Sequence, residues 1–165
     1  MTAFFEDVSI GDRLDLGSYT FSAAEIKRFA RKFDPQAFHL SEEAAAKTHF
    51  KRLCASGWHT GAVYMKLFIA RRQADERAAT EAGQDVARQG PSPGFEDLKW
   101  LKPVYAGDTV AFSNVVTGKR ALKSRPEWGL IFAENHGINQ HGDTVFSFKS
   151  KVLVERRPAS PGLRA

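Results

Sequence analysis

Asp34 and His39 stand five residues apart in Phe33-Asp34-Pro35-Gln36-Ala37-Phe38-His39, and eighteen residues beyond the histidine comes Gly57, in Ala55-Ser56-Gly57-Trp58-His59-Thr60. A carboxylate and an imidazole are the side chains most used to move protons near neutral pH. Pro35 between them blocks a regular helix, so both are expected on a shaped loop. Gly57 heads an apolar, helix-like run, and the free N–H groups at such a helix start can meet a developing oxyanion. Together these are the parts needed to add water to, or remove it from, a carbon next to a thioester carbonyl.

Other constellations carry less chemistry. His39, His49 and His59 are ten residues apart, which matches neither the i, i+4 spacing of helical metal ligands nor a zinc signature, so no metal site is expected. The chain has no Gly-x-Ser-x-Gly elbow, phosphate loop or dinucleotide glycine pattern. Ser56, just ahead of a helix, reads as an N-cap rather than a nucleophile. Cys54 is the only cysteine; it reads as inert packing and excludes an intrachain disulfide. His59 and Trp58 read as packing the helix start, and His136 and His141 as surface residues flanking a hairpin. By spacing alone, Asp34 and His39 are first read as a loop aspartate capping a backbone N–H and a partly buried histidine bonded to it.

The surrounding pattern supplies the elements that must position these groups. Arg13 to Thr20 reads as a strand with Leu14 and Leu16 on one face. Ser22-Ala23-Ala24-Glu25 is a capping box for a helix to about Lys32, with Ile26, Phe29, Ala30 and Phe33 at helical spacing. Ser41 caps a short helix through Ala46, and Thr48 to Ser56 reads as irregular. From Trp58 the chain is apolar on nearly every helical face until Arg71, which predicts a buried helix emerging into water. Gly83 to Gly94, with Pro91 and Pro93, reads as a loop or flap. Phe95 to Leu101, Thr109 to Val116, Leu130 to Asn139 and Thr144 to Val154 read as strands parted by turn signals. The order predicts an α+β fold in which an antiparallel sheet wraps a long central helix.

With 165 residues, 42% hydrophobic, 26% charged and thirteen phenylalanines, the chain is expected to form one globular domain over residues 1–157, with a frayed tail from Pro158 to Ala165. No apolar run reaches the length of about 18 residues that a membrane span needs, and Met1 to Ile10 lacks the layout of a signal peptide. A cytoplasmic location with no membrane partner is expected. The net charge of +5 and pI near 9.5 invite a nucleic-acid reading, but the basic residues are scattered and no nucleic-acid-binding motif accompanies them. The excess charge also suits a phosphate-rich small ligand.

Asp-x-(Asn/Gln)-x-x-His followed by a glycine-led helix resembles the MaoC-like family of hot-dog acyl dehydratases and R-specific enoyl-CoA hydratases. The resemblance extends to Phe5-Glu6-Asp7-Val8-Ser9-Ile10-Gly11-Asp12, to Leu98-Lys99-Trp100-Leu101-Lys102-Pro103-Val104, to Ala106-Gly107-Asp108 and to Asn139-Gln140-His141-Gly142. It reverses the bland reading of Asp34 and His39. It implies that they hold a water for addition across the α,β double bond of an acyl thioester, or for the reverse reaction. Gly57 would offer its N–H to the enolate oxygen, and Gln36 would position the loop or the thioester. Lys119, Arg120, Lys123 and Arg125 are candidate contacts for coenzyme A phosphates, coenzyme A being part of the substrate and no separate cofactor being implied. A homodimer or larger homo-oligomer is expected. A hot-dog thioesterase and a non-catalytic acyl-thioester-binding module are the alternatives. The chain has Gln36 and Ala37 where the family usually has Asn and Pro, and Ala55-Ser56-Gly57 where many members have Val-His-Gly.

Overall fold

The computed structural model describes residues 3–158; most of the expected tail, residues 159–165, lies outside them. Among the described residues the strands are β1 (Arg13–Thr20), β2 (Gly94–Trp100), β3 (Thr109–Ala121), β4 (Trp128–Asn139) and β5 (Thr144–Glu155), and the α-helices are α1 (Ala23–Phe33), α2 (Ala37–Leu40), α3 (Glu42–Ala46) and α4 (Gly57–Glu81), with one 3-10 turn at Phe5–Asp7. The five strands form one antiparallel sheet in the order β1-β3-β4-β5-β2. The sheet curls around the long helix α4, the arrangement of a hot-dog domain. No helix among the described residues is long and apolar enough to cross a membrane.

The core follows from the alternation of the strands and the first half of α4. Phe21, Leu53, Val63, Tyr64, Phe112 and Phe146 pack together between helix and sheet. Tyr64 carries a polar tip into this core, and its hydroxyl donates to Asn135 Oδ1. Asn114 donates to the same oxygen at 2.7 Å, while Asn135 Nδ2 donates to the Phe148 carbonyl and Ser150 Oγ. A buried amide is tolerated only when its donors and acceptors are satisfied, and here that requirement pins α4 to β4.

A second cluster, with Phe5, Val8, Val116, Ile131 and Val154, lies under the amino-terminal segment. Phe5 fits because Gly129 opposite has no side chain; a Cβ there would meet the Phe5 ring at 2.1 Å. Lys119 locks this corner, its Nζ donating to the carbonyls of Phe5, Glu6 and Val8 at 3.1, 3.2 and 2.6 Å.

One sequence expectation changes. The helix from Gly57 is not buried all round: Trp58, Met65 and Ile69 are 57%, 49% and 37% exposed, because the sheet covers only one side of α4 in a single chain. The segment from Gly83 to Gly94 is the loop that the sequence predicts, and it is pinned to the sheet. Gly90 donates to the Leu153 carbonyl, Glu155 to that of Arg88, and the Arg88 guanidinium pairs with the Glu155 carboxylate at 2.7 Å.

Candidate active site

The loop between α1 and α2 is shaped by its own hydrogen bonds. Ser22 accepts from the Glu25 N–H and starts α1 as the capping box predicts. Asp34 ends it, its backbone N–H bonding the Ala30 carbonyl at 2.9 Å. Pro35 prevents continuation, the Gln36 N–H bonds the Asp34 carbonyl, and the chain then re-enters a single helical turn. His39 therefore sits on a short helix, α2, rather than on an open loop.

A second segment brings the partners. Leu53 to Ser56 runs in extended form beside Val104 to Ala106, with Ala55 donating to the Val104 carbonyl at 2.7 Å and Ala106 to that of Leu53 at 3.0 Å. The Cys54 N–H also reaches the Phe38 carbonyl. This ties the segment to α2 and delivers Ser56 and Gly57 to the head of α4 beside Asp34 and His39.

Asp34 Oδ2 and His39 Nε2 face one another at 3.4 Å, with His39 buried and Asp34 partly open. The other imidazole nitrogen, Nδ1, is 2.7 Å from the Cys54 carbonyl. A carbonyl only accepts, so Nδ1 carries hydrogen and Nε2 is left for the carboxylate side. In the neutral ring two acceptors then oppose each other. A water that donates one hydrogen to each from the open side of the cleft relieves that opposition.

Asp34 is further held by the Ser56 hydroxyl, which donates to Oδ2 at 2.7 Å, and by the Gln36 amide, which donates to Oδ1 at 2.8 Å. Burial works to raise the carboxyl pKa. The bonds from Ser56 and Gln36, with His39 alongside, outweigh burial and hold the carboxyl below its ordinary range. Cys54 is buried and its thiol is pushed up to about 11 by that burial, so it remains a neutral packing group.

Gly57 is the first residue of α4, where the backbone N–H has no acceptor within the helix. It lines a cleft of about 410 Å³ together with Asp34, Gln36, His39 and Ser56, walled by Trp58, Trp100 and Val104. Trp100 stands directly over it: a Cβ at Gly57 would lie 2.4 Å from the indole. Past Trp58 and Trp100 the cleft adjoins an almost wholly apolar groove of about 330 Å³ along α4, lined by Gly61, Tyr64, Met65, Phe95 and Phe148 among others.

The expected site residues Asp34, Gln36, His39 and Gly57 thus meet at one cleft. Lys119, Arg120, Lys123 and Arg125 do not line it, and Lys119 is engaged by the carbonyls of the amino-terminal segment. The cation on the cleft wall is Lys102, paired with Asp143 at 2.6 Å. The sequence predicts Ser56 as a cap alone. It does cap α4, accepting from the Trp58 N–H at 3.2 Å, and its bond to Asp34 had no signal in the spacing.

Known proteins share this frame. The chain matches 31% of residues over 151 positions with an uncharacterized protein, YdeM, of Bacillus subtilis, covering 92% of this chain and 98% of that one. A shorter stretch of 64 residues is 34% identical to mesaconyl-CoA hydratase of Cereibacter sphaeroides, covering 39% of this chain and 18% of the hydratase. Among solved structures, a MaoC-like dehydratase from Rhodospirillum rubrum superposes with a TM-score of 0.78 at 34% identity, over 95% of this chain and 99% of that one. The MaoC-like domain model itself matches residues 6–128. A glycine-led central helix, a curled antiparallel sheet and this extent of match place the chain in the MaoC-like dehydratase family.

Proposed function

We propose that the protein is a hydratase or dehydratase of acyl thioesters, adding water across an α,β double bond or removing it from a 3-hydroxyacyl group. The observation that carries the reading is the opposition of Asp34 Oδ2 and His39 Nε2 at 3.4 Å in the cleft that Gly57 lines. A water that donates to both acceptors gives up one proton to the pair as its oxygen bonds to the β-carbon, the pair delivers a proton to the α-carbon, and the thioester stays intact. Nε2 is the imidazole atom available to exchange the proton, since Nδ1 is held by the Cys54 carbonyl. The thioester oxygen, charged as the enolate develops, meets the Gly57 N–H and the positive end of α4. Loss of one such donor costs about 3 kcal/mol in comparable sites.

The thioester is read as an acyl-coenzyme A, and the apolar groove beyond Trp58 and Trp100 as the place of the acyl group. The active species is read as a homodimer. A single chain leaves apolar side chains open along α4 and on β2, an edge strand carrying Phe95 and Trp100 that are 55% and 45% exposed. A second copy seated there would cover them and close the groove.

The test is a panel of enoyl-coenzyme A esters of differing chain length and branching, followed by loss of the conjugated double-bond absorbance. Hydration of at least one ester, without release of free thiol, is expected. Thiol release without loss of the double bond would instead make the protein a thioesterase.

A further inference from the structure

We infer that Ser56 is a positioning residue for the acid/base pair, coupling the head of α4 to the Asp34 carboxylate through one shared hydroxyl. Ser56 is 1% exposed, so its O–H must find a protein acceptor, and Asp34 Oδ2 takes it at 2.7 Å. Ser56 Oγ in turn accepts the Trp58 N–H at 3.2 Å. The chain of donors therefore runs from the helix backbone through Ser56 to the carboxylate oxygen that faces His39. Each bond polarises the next, and the positive end of the helix is projected onto Asp34.

Position is the second consequence. Gly57, next in sequence, offers the N–H proposed for the enolate oxygen, so a single turn sets both that donor and the carboxylate that holds the water. A serine acting only as a cap would need its lone pair for the Trp58 N–H and nothing from Asp34. The carboxylate bond is an additional commitment, spanning 22 residues of sequence. With Gln36 on Oδ1, it leaves Asp34 ionised and fixed in rotation, the state in which it can orient a water against Nε2.

The kinetic part of the test rests on the hydration reading; the titration part does not. In Ser56→Ala, kcat for hydration should fall about ten- to hundred-fold while KM stays within about threefold, because the loss concerns the reacting geometry. The acid limb of the pH profile and the Asp34 carboxyl titration, followed by carbon-13 NMR, should both move up by about one to two pH units. Ser56→Thr, which keeps a hydroxyl, should restore both. A Ser56→Ala protein with a lower melting temperature but wild-type kcat and an unmoved Asp34 titration would overturn the inference and leave Ser56 a cap.

Should Ser56→Ala fail to fold, Ser56→Cys preserves the shape with a weak donor. It should give a smaller shift of the same sign, and an unmoved titration there would overturn the inference equally. If the wild-type protein hydrates no enoyl thioester, the functional reading fails and the Asp34 titration alone decides the role of Ser56.

Discussion

The Trp100 indole lies over Gly57 so closely that any side chain at that glycine must displace it: an added Cβ would stand 2.4 Å from Cε2 and 2.5 Å from Nε1. The absence of a side chain at Gly57 is therefore a packing requirement of the cleft wall, independent of what its N–H does. The two roles can be separated experimentally. Gly57→Ala keeps the N–H but pushes Trp100 away, and its defect should be relieved by adding Trp100→Ala.

Gly57→Pro in a Trp100→Ala background removes the N–H itself. Proline is accepted at the first position of a helix. Ser56 already holds the extended conformation (φ −57°, ψ 142°) that a following proline demands. Turnover should fall about 100- to 1000-fold relative to Trp100→Ala, with little change in melting temperature, if the N–H meets the enolate. Equal turnover in the two proteins would remove Gly57 from the chemistry.

Asp34→Asn and His39→Ala should each lower hydration by a factor on the order of 100 or more with the fold intact by circular dichroism. Soluble variants that retain near-wild-type turnover on every accepted thioester would exclude the pair from the reaction.

His59 gives the protein a predictable weakness to acid. Its ring stacks on Phe29 at 4.6 Å and edges against Phe21, and its Nδ1 is buried with no hydrogen-bond partner. Burial pushes its pKa down to about 4, with Glu25 opposing and Arg28 and His39 assisting. The unfolded chain takes up this proton near pH 6.5 and the folded one only near pH 4, so the stability due to the neutral ring is complete above 6.5 and is lost as the pH falls through that window. The loss between pH 7.5 and pH 5 should be about 2 kcal/mol by urea denaturation. In His59→Leu this increment should vanish, and an unchanged pH dependence would show that another group is responsible.

The open apolar side chains on β2 and α4 predict association. Sedimentation should give at least twice the chain mass of 18.3 kDa, and Phe95→Glu, placing a charge on the edge strand, should shift the population to monomer and reduce turnover together. An active wild-type monomer at micromolar concentration would rule out a shared site.

Local pattern determined much of this molecule. Arg13–Thr20 is the strand its alternation predicts, Ser22 and Glu25 cap the helix they spell, and Ser41 caps α3, because each depends on residues within one turn or one pleat. Asp34, His39 and Gly57 were legible as a set through their resemblance to a family, since spacing alone also suited a capped loop. The remaining features depend on distant chain segments. Ser56 reaches Asp34 because the segment beside Val104 folds back onto α2. Lys119 is drawn from a run of basic residues to three carbonyls more than a hundred positions away. The apolar faces of α4 predict a buried helix, yet one side stays open, because an apolar residue has the same letter whether its own sheet covers it or leaves it uncovered. Hydrophobic periodicity records the preference to leave water, and the three-dimensional path of the chain determines which surface is available to satisfy it.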